Sequence, residues 1–310
     1  MSISIGKHGR ALFASRRWRR VLLAGSTGLS LLLLLWGLVS RWDELRSYQW
    51  QFNWLPLGLS GATFSISLSL AVLAWVLTMR TLSAASTWRQ DAKFFFYSWM
   101  ARRLPTPGPY LASRVLLYEE IGVPKRLTSV GLLWENVLLI ASGALLTLLL
   151  LPMTPLVRNH VPRGPILLAA AASLLVVVQP SLLERAVNWL LRQWGKAPLA
   201  SLVDQRAAAM LLAVYALVWL TGGLILFFLI RAIYPVEWSA LPLVLESWVV
   251  SGLVAYLAFF APAGLGVREV ALAYLLALAI PLPVAVIAGV LARLWLMVNE
   301  LLWALVAYKL

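Results

Sequence analysis

Several uninterrupted apolar runs constrain this chain most, because they approach the roughly 20 residues that an α-helix needs to cross the hydrocarbon core of a bilayer. They do not alternate apolar and polar residues, so they do not read as the short strands of a transmembrane barrel. The expected fold is therefore all-α, a polytopic helical bundle in a membrane. The chain is 62% hydrophobic and 12% charged, against about 45–50% and about 25% in soluble domains. That balance excludes an ordinary soluble enzyme or binding module.

The pattern predicts about eight spans. Val21–Val39 follows a basic cytoplasmic tail, residues 1–20, and Trp54–Met79, Leu127–Leu151 and the short Pro165–Val178 come next. Ala207–Ile230, Trp238–Phe260, the short Glu269–Ile280 and Val284–Tyr308 complete the set, making residues 21–310 a single transmembrane domain. The arginine pairs around Ser15–Arg20 resemble a twin-arginine export signal, but no small-residue cleavage site follows, which points to an uncleaved signal anchor. Ser181–Lys196 places Leu182, Leu183, Val187, Leu190 and Leu191 on one side and charges on the other, an amphipathic connector over residues 181–197.

The net charge of +14 is positional. With both termini cytoplasmic, 20 of the 26 Lys and Arg residues fall on the cytoplasmic side and five outside, with Arg293 inside a span. That asymmetry is the positive-inside pattern of an inner-membrane protein and does not call for nucleic acid. Trp18, Trp42, Trp54 and Trp238 sit at span ends, where an aromatic belt belongs.

Charge within the bilayer carries the functional signal, since each ionised side chain at mid-depth costs about 2.5–3.5 kcal/mol. Glu135, Glu246, Arg293 and Glu300 lie within spans, and Glu269 begins one. Gly131, Glu135 and Ser142 share a helical face that should point into the bundle, with Asn136 beside it. Arg293 and Glu300, two turns apart, line one cavity or each pair elsewhere. The groups thus form either a polar cavity or buried ion pairs that fix helix register.

Two Pro/Gly segments are the second signal. Leu104–Pro109 follows Arg102 and Arg103 and precedes Arg114; Ala261–Gly266 precedes Arg268 and Glu269. Broken backbone at membrane depth is tolerated where it lines a cavity, and each break adjoins arginines able to meet an anion. A re-entrant segment from Phe94 to Tyr118, within a re-entrant or interfacial region 80–126, accounts for the long separation of the second and third spans. The alternative is an interfacial aromatic helix at Phe94–Trp99. Comparing the two segments hints at an internal repeat.

Absences narrow the chemistry. Without cysteine there is no disulfide, thiolate metal site or cysteine nucleophile, and His8 and His160 lie far from the polar spans. No phosphate-binding or nucleophile-elbow motif occurs. No cofactor or metal is expected.

Pro262-Ala-Gly-Leu-Gly-Val-Arg-Glu269 resembles the P-[AG]-G-[LI]-G-V-x-E signature of the lysylphosphatidylglycerol synthase transmembrane-region family. Arg103–Gly108, Arg114, Gly122 and Glu135 resemble its upstream pattern, and Arg293 falls where its last span carries an arginine. The likeness covers residues 20–308; the interposed Thr106-Pro107 departs from the first turn. It implies a membrane domain that binds and translocates an amphipathic lipid, standing alone without the cytosolic aminoacyltransferase domain. The substrate-contacting set is then Arg102, Arg103, Pro105, Gly108, Arg114, Glu135, Asn136, Glu246, Pro262, Gly264, Gly266, Arg268, Glu269, Arg293 and Glu300.

Four functions compete, one of them a small-solute transporter or ion channel, for which no pore-like ring of one residue type is visible. A flippase-like translocase would take an anionic phospholipid or polyprenyl-phosphate-linked lipid into the polar cavity. A membrane enzyme acting on lipid-linked donors would use Asp43 or Glu44 as base. A non-catalytic accessory subunit would present a lipid to a separate lipid-modifying or glycan-synthesis enzyme of the cell envelope. An oligomer is compatible with all four.

Overall fold

The computed structural model describes residues 39–40, 46, 50, 52–101, 109–160, 163–193, 198, 204–257 and 266–307. The basic tail and, apart from Val39, the first expected span lie outside them. The described residues contain helices and no strand.

Helix α1 is Trp54–Thr81, α2 Trp88–Ala101, α3 Pro109–Glu120 and α4 Lys125–Leu150. A 3-10 turn and a one-turn helix lead to α5, Arg163–Val178, and α6, Pro180–Gln193. Then come α7, Gln205–Ile233, α8, Leu241–Leu257, α9, Val267–Leu276, and α10, Leu282–Ala307. Two of the long helices begin at side-chain caps: Asn53 Oδ1 accepts from the Leu55 N–H at 3.1 Å, and Asp204 Oδ1 from the Ala207 N–H at 2.7 Å.

Five stretches are long and apolar enough to cross a membrane: Trp54–Thr81, Lys125–Met153, Gln205–Ile233, Trp238–Tyr256 and Leu282–Trp303. Large apolar side chains such as Leu55, Ile66, Leu149, Leu217 and Leu301 are exposed along them, as a lipid-facing surface requires. The segment expected as a span at Glu269–Ile280 is not among them. It yields the ten-residue α9, about 15 Å long and half the thickness of the core. Ala277 caps it, and Pro281 follows before α10.

The long helices fix the bundle by small-residue contacts. α1 and α7 run antiparallel: the Asn53 N–H donates to the Ala232 carbonyl at 2.8 Å, and Ser60 Oγ to the Ile225 carbonyl at 2.9 Å. α4 and α7 run parallel. Val130 and Trp134 near the start of α4 cluster with Ala208 and Leu211 near the start of α7, while Leu146 clusters with Leu226 toward the other end. Trp219 Nε1 donates to the Leu139 carbonyl between them at 2.9 Å. α10 lies parallel to α1, with Asn299 against Gly61 and Trp303 Nε1 bonded to Ser65 Oγ at 3.1 Å. At the α7–α8 seam a Cβ on Gly222 would stand 2.3 Å from Trp248 Nε1, and one on Gly223 would meet the Leu245 Cα at 3.0 Å. Glycine is what lets those two helices approach so closely.

Parallel α4 and α7 leave the end of one and the start of the other at opposite ends of the bundle. The intervening chain must therefore run back along it. α5, packed on α4, is the helix that does this, and its 16 residues reach about 24 Å.

Candidate functional site

α2 and α3 form an antiparallel hairpin against α1 and α4. One face of α2 carries Asp91, Phe95 and Ser98; one face of α3 carries Tyr110, Arg114 and Tyr118, each set at helical spacing. The two faces meet. Arg114 has no exposed surface. Its Nη1 reaches Glu135 Oε2 on α4 at 2.7 Å, and its Nε donates to Ser98 Oγ at 2.9 Å. Tyr110 donates to the same Glu135 oxygen at 2.9 Å. The guanidinium carbon lies 4.0 Å from the centre of the Trp75 ring, 4.8 Å from that of Phe95 and 4.6 Å from that of Tyr110. Rings on several sides stabilise the cation through their quadrupoles where water is excluded. One nitrogen, Nη2, is buried without a hydrogen-bond partner.

Behind that cluster, Trp75 Nε1 donates to Tyr118 Oη at 2.8 Å, and Tyr118 donates to Asp91 Oδ1 at 2.5 Å. Burial holds the Asp91 carboxyl above its ordinary value, outweighing the Tyr118 hydrogen bond and the Arg80 charge. Burial and Asp91 together push the Tyr118 hydroxyl upward, so it stays a donor. The α3 exit is locked by a Schellman turn: the Val123 N–H bonds the Tyr118 carbonyl at 3.0 Å and the Gly122 N–H the Glu119 carbonyl at 2.9 Å. Gly122, at φ 82°, supplies the left-handed residue this turn needs.

A raised Asp91 value means the folded protein holds that proton to higher pH than the unfolded chain. Stability from this group is then greatest at acid pH and falls as pH rises from the unfolded value to the folded one. Asp91→Asn keeps an acceptor for Tyr118 without the buried charge. It should be at least as stable as the native protein at pH 7, with the difference shrinking toward pH 4.5. Asp91→Leu should cost about 1–3 kcal/mol by stranding the Tyr118 hydroxyl. Thermal midpoints in detergent at both pH values check this; Asp91→Asn less stable at pH 7 would contradict it.

On the outer side of the same α3–α4 contact, Leu111, Val115, Leu116, Leu132, Leu133 and Asn136 help line an open groove of about 620 Å³. It is apolar apart from Asn136 and Ser129. Asn136 donates to the Leu132 carbonyl at 2.7 Å.

A second ion pair stands in the other half of the chain. Arg293 on α10 bonds Glu269 on α9 through Nη1 and Oε1. The other Glu269 oxygen accepts the Gly266 N–H at 2.8 Å, so the glutamate also caps its own helix. Gly266 has φ 83°, a backbone position that favours glycine. Arg268 stacks over Trp248 at 4.1 Å. Glu246 on α8 is fully buried, and neither carboxyl oxygen has a partner.

The structure thus gathers Arg114 with Glu135, and Arg293 with Glu269 rather than with Glu300. Glu300 is half-buried on α10. Gly131 and Ser142 are buried on the same inward side of α4 as Glu135. Arg102, Arg103, Pro105, Gly108, Pro262 and Gly264 lie outside the described residues, as do Asp43 and Glu44. Trp75, Asp91, Ser98, Tyr110 and Tyr118 complete the site although the sequence alone does not single them out. The recurrence of aromatic and polar residues at i, i+4 and i+7 or i+8 along α2 and α3 is the signal that marks most of them. No family model matches the chain, and no curated protein matches it.

Proposed function

We propose that this multi-span membrane protein is a lipid translocase of the inner membrane, flippase-like, with the Arg114–Glu135 cluster at its centre. The observation that carries the reading is the buried Arg114 guanidinium with a spare nitrogen, together with the apolar groove on the outer side of the same α3–α4 contact. A phosphate-bearing headgroup is the partner that nitrogen lacks, since phosphate accepts guanidinium donors in a charge-assisted bond. An acyl or prenyl chain fits the groove formed by Leu111, Val115, Leu116 and Leu133. Glu135 holds the arginine in place and competes with the headgroup for it, so binding and release exchange one anion for another. The likeness of Pro262–Glu269 to the lysylphosphatidylglycerol synthase transmembrane region supports the same substrate class. Both termini lie on the cytoplasmic side in this reading, and the α2–α3 hairpin re-enters the membrane from that side.

The test uses proteoliposomes carrying a fluorescent anionic phospholipid or a fluorescent polyprenyl phosphate, with a membrane-impermeant quencher outside. The native protein should make nearly all of one probe quenchable. Arg114→Gln should lower that rate at least about tenfold, the effect of losing some 1.4 kcal/mol of anion binding, while the protein still elutes as a folded peak in detergent. Equal rates for both proteins with either probe would reject the assignment.

A further inference from the structure

We infer that the chain is an inverted repeat, α1–α4 and α7–α10, and that Arg114–Glu135 and Glu269–Arg293 are its two counterpart latches, each closing the substrate path toward one membrane face. The second half of this inference rests on the translocase reading; the first does not.

The repeat is visible in how the helices pack. Each unit runs long helix, hairpin, long helix: 28, 14, 12 and 26 residues in the first, 29, 17, 10 and 26 in the second. Within both units the first helix contacts the second and fourth, and each remaining helix contacts the next. The two leading helices, α1 and α7, are antiparallel neighbours, in contact from Asn53 and Ser60 with Ala232 and Ile225 at one end to the cluster of Ala74 and Leu82 with Ala208 and Leu211 at the other. Two units whose equivalent helices run antiparallel side by side are related by a two-fold axis across the bundle, which lies in the plane of a membrane. Such an axis carries the parallel pair α4–α7 onto α10–α1, which is also parallel. It carries the contact of α8 with α4 onto that of α2 with α10, which is also present. The crossing supplied by α5 is what a chain needs to begin its second unit inverted.

The ion pairs occupy matching places. Glu135 is the eleventh residue of α4, and Arg293 is the twelfth of α10. Each binds the return helix of the preceding hairpin, α3 or α9. The signs are exchanged: the hairpin brings the arginine in the first unit and the glutamate in the second. What the units share is the fastening itself, not a particular residue. A buried pair is held firmly while intact, and opening it exposes both charges to whatever fills the gap. A headgroup phosphate entering at one pair takes over its arginine and frees the hairpin. The two fastenings are not equally closed here. The side chain of Arg114 is fully covered, while 28% of that of Arg293 remains open.

The chain has no cysteine, so every labelled thiol is an introduced one. In sealed vesicles of known orientation, Glu120→Cys at the last residue of α3 and Ala279→Cys three residues past α9, both exposed, should react with an impermeant maleimide from opposite faces. Reaction from the same face would overturn the repeat. For the latches, the probes are Ser98→Cys under Arg114 and Gly289→Cys, whose Cβ would lie 3.7 Å from the Glu269 carbonyl. Glu135→Gln should raise labelling at 98 and lower it at 289, and Arg293→Gln should do the reverse, each by about fivefold or more. Glu135→Asp, which weakens the pair without removing it, carries the same test if Glu135→Gln does not fold. Shifts in the same direction, or none, would overturn the latches. No lipid substrate enters these measurements. Opposite-face, reciprocal labelling with no lipid transport would keep the repeat and discard the translocase; transport with same-face labelling would do the opposite.

Discussion

Glu135→Leu is expected to lower stability by about 3–5 kcal/mol, and adding Arg114→Met is expected to restore most or all of that loss. The single change strands a guanidinium that has no exposed surface and loses its carboxylate. The double change removes both desolvated charges and leaves methionine among Trp75, Phe95 and Tyr110, rings that make favourable contacts with sulfur. Ser98 and Tyr110 lose a partner, which limits the recovery. On the translocase proposal, lipid transport should be absent from both variants. Recovery of stability without recovery of transport separates a pair kept for function from one kept for folding. Thermal midpoints in detergent and the vesicle assay, read on the same preparations, give the answer. A double variant as unstable as the single one would mean that the charges hold the hairpin in register and nothing more.

Glu246→Met should make the protein more stable, by about 1–3 kcal/mol for each buried polar atom relieved. Few substitutions in a packed interior are expected to help. This one is, because the carboxyl is fully enclosed with both oxygens unbonded, and methionine is close to it in volume and bends to fit. On the translocase proposal, a carboxyl that costs stability and fastens nothing acts when the bundle moves. Transport by Glu246→Met should accordingly be slower than by the native protein, although the variant melts later. A lower midpoint would show that the carboxyl has a partner which the packing of α8 supplies in the membrane.

The long helices were legible in the sequence because apolar length is a local property. α1, α4, α7 and α10 overlie their expected spans closely. α9 differs from its expected span for a local reason as well: Glu269–Ile280 is apolar enough for a span, but the helix stops at Leu276, short of Pro281. The charged residues themselves stood out against their apolar surroundings. Their partners did not, because Arg114 meets Glu135, and Arg293 meets Glu269, through tertiary packing that no spacing within one helix encodes. Arg293 and Glu300 share a face by their spacing, yet the carboxylate that Arg293 takes is on another helix. The ring of aromatics around Arg114 was hidden for the same reason, since it assembles from α1, α2 and α3. The hint of a repeat lay in two Pro/Gly segments, but helix direction turns that hint into an inverted one. Direction is set by contacts such as Ser60 with Ile225, 165 residues apart.

That separation also has a consequence for how the protein is made. At the usual 5–20 residues per second, roughly 10 to 30 s pass between synthesis of Ser60 and synthesis of Ile225. During that interval α1 is already made while the helix that completes it is not. Its hydroxyls at Ser60, Ser65 and Ser69 have only their own helix, water or the insertion machinery to bond. A ribosome stalled before residue 205 would therefore leave a first unit with one long flank uncovered. Such a nascent chain should be cut by membrane proteases more readily than one stalled after α7 has been made.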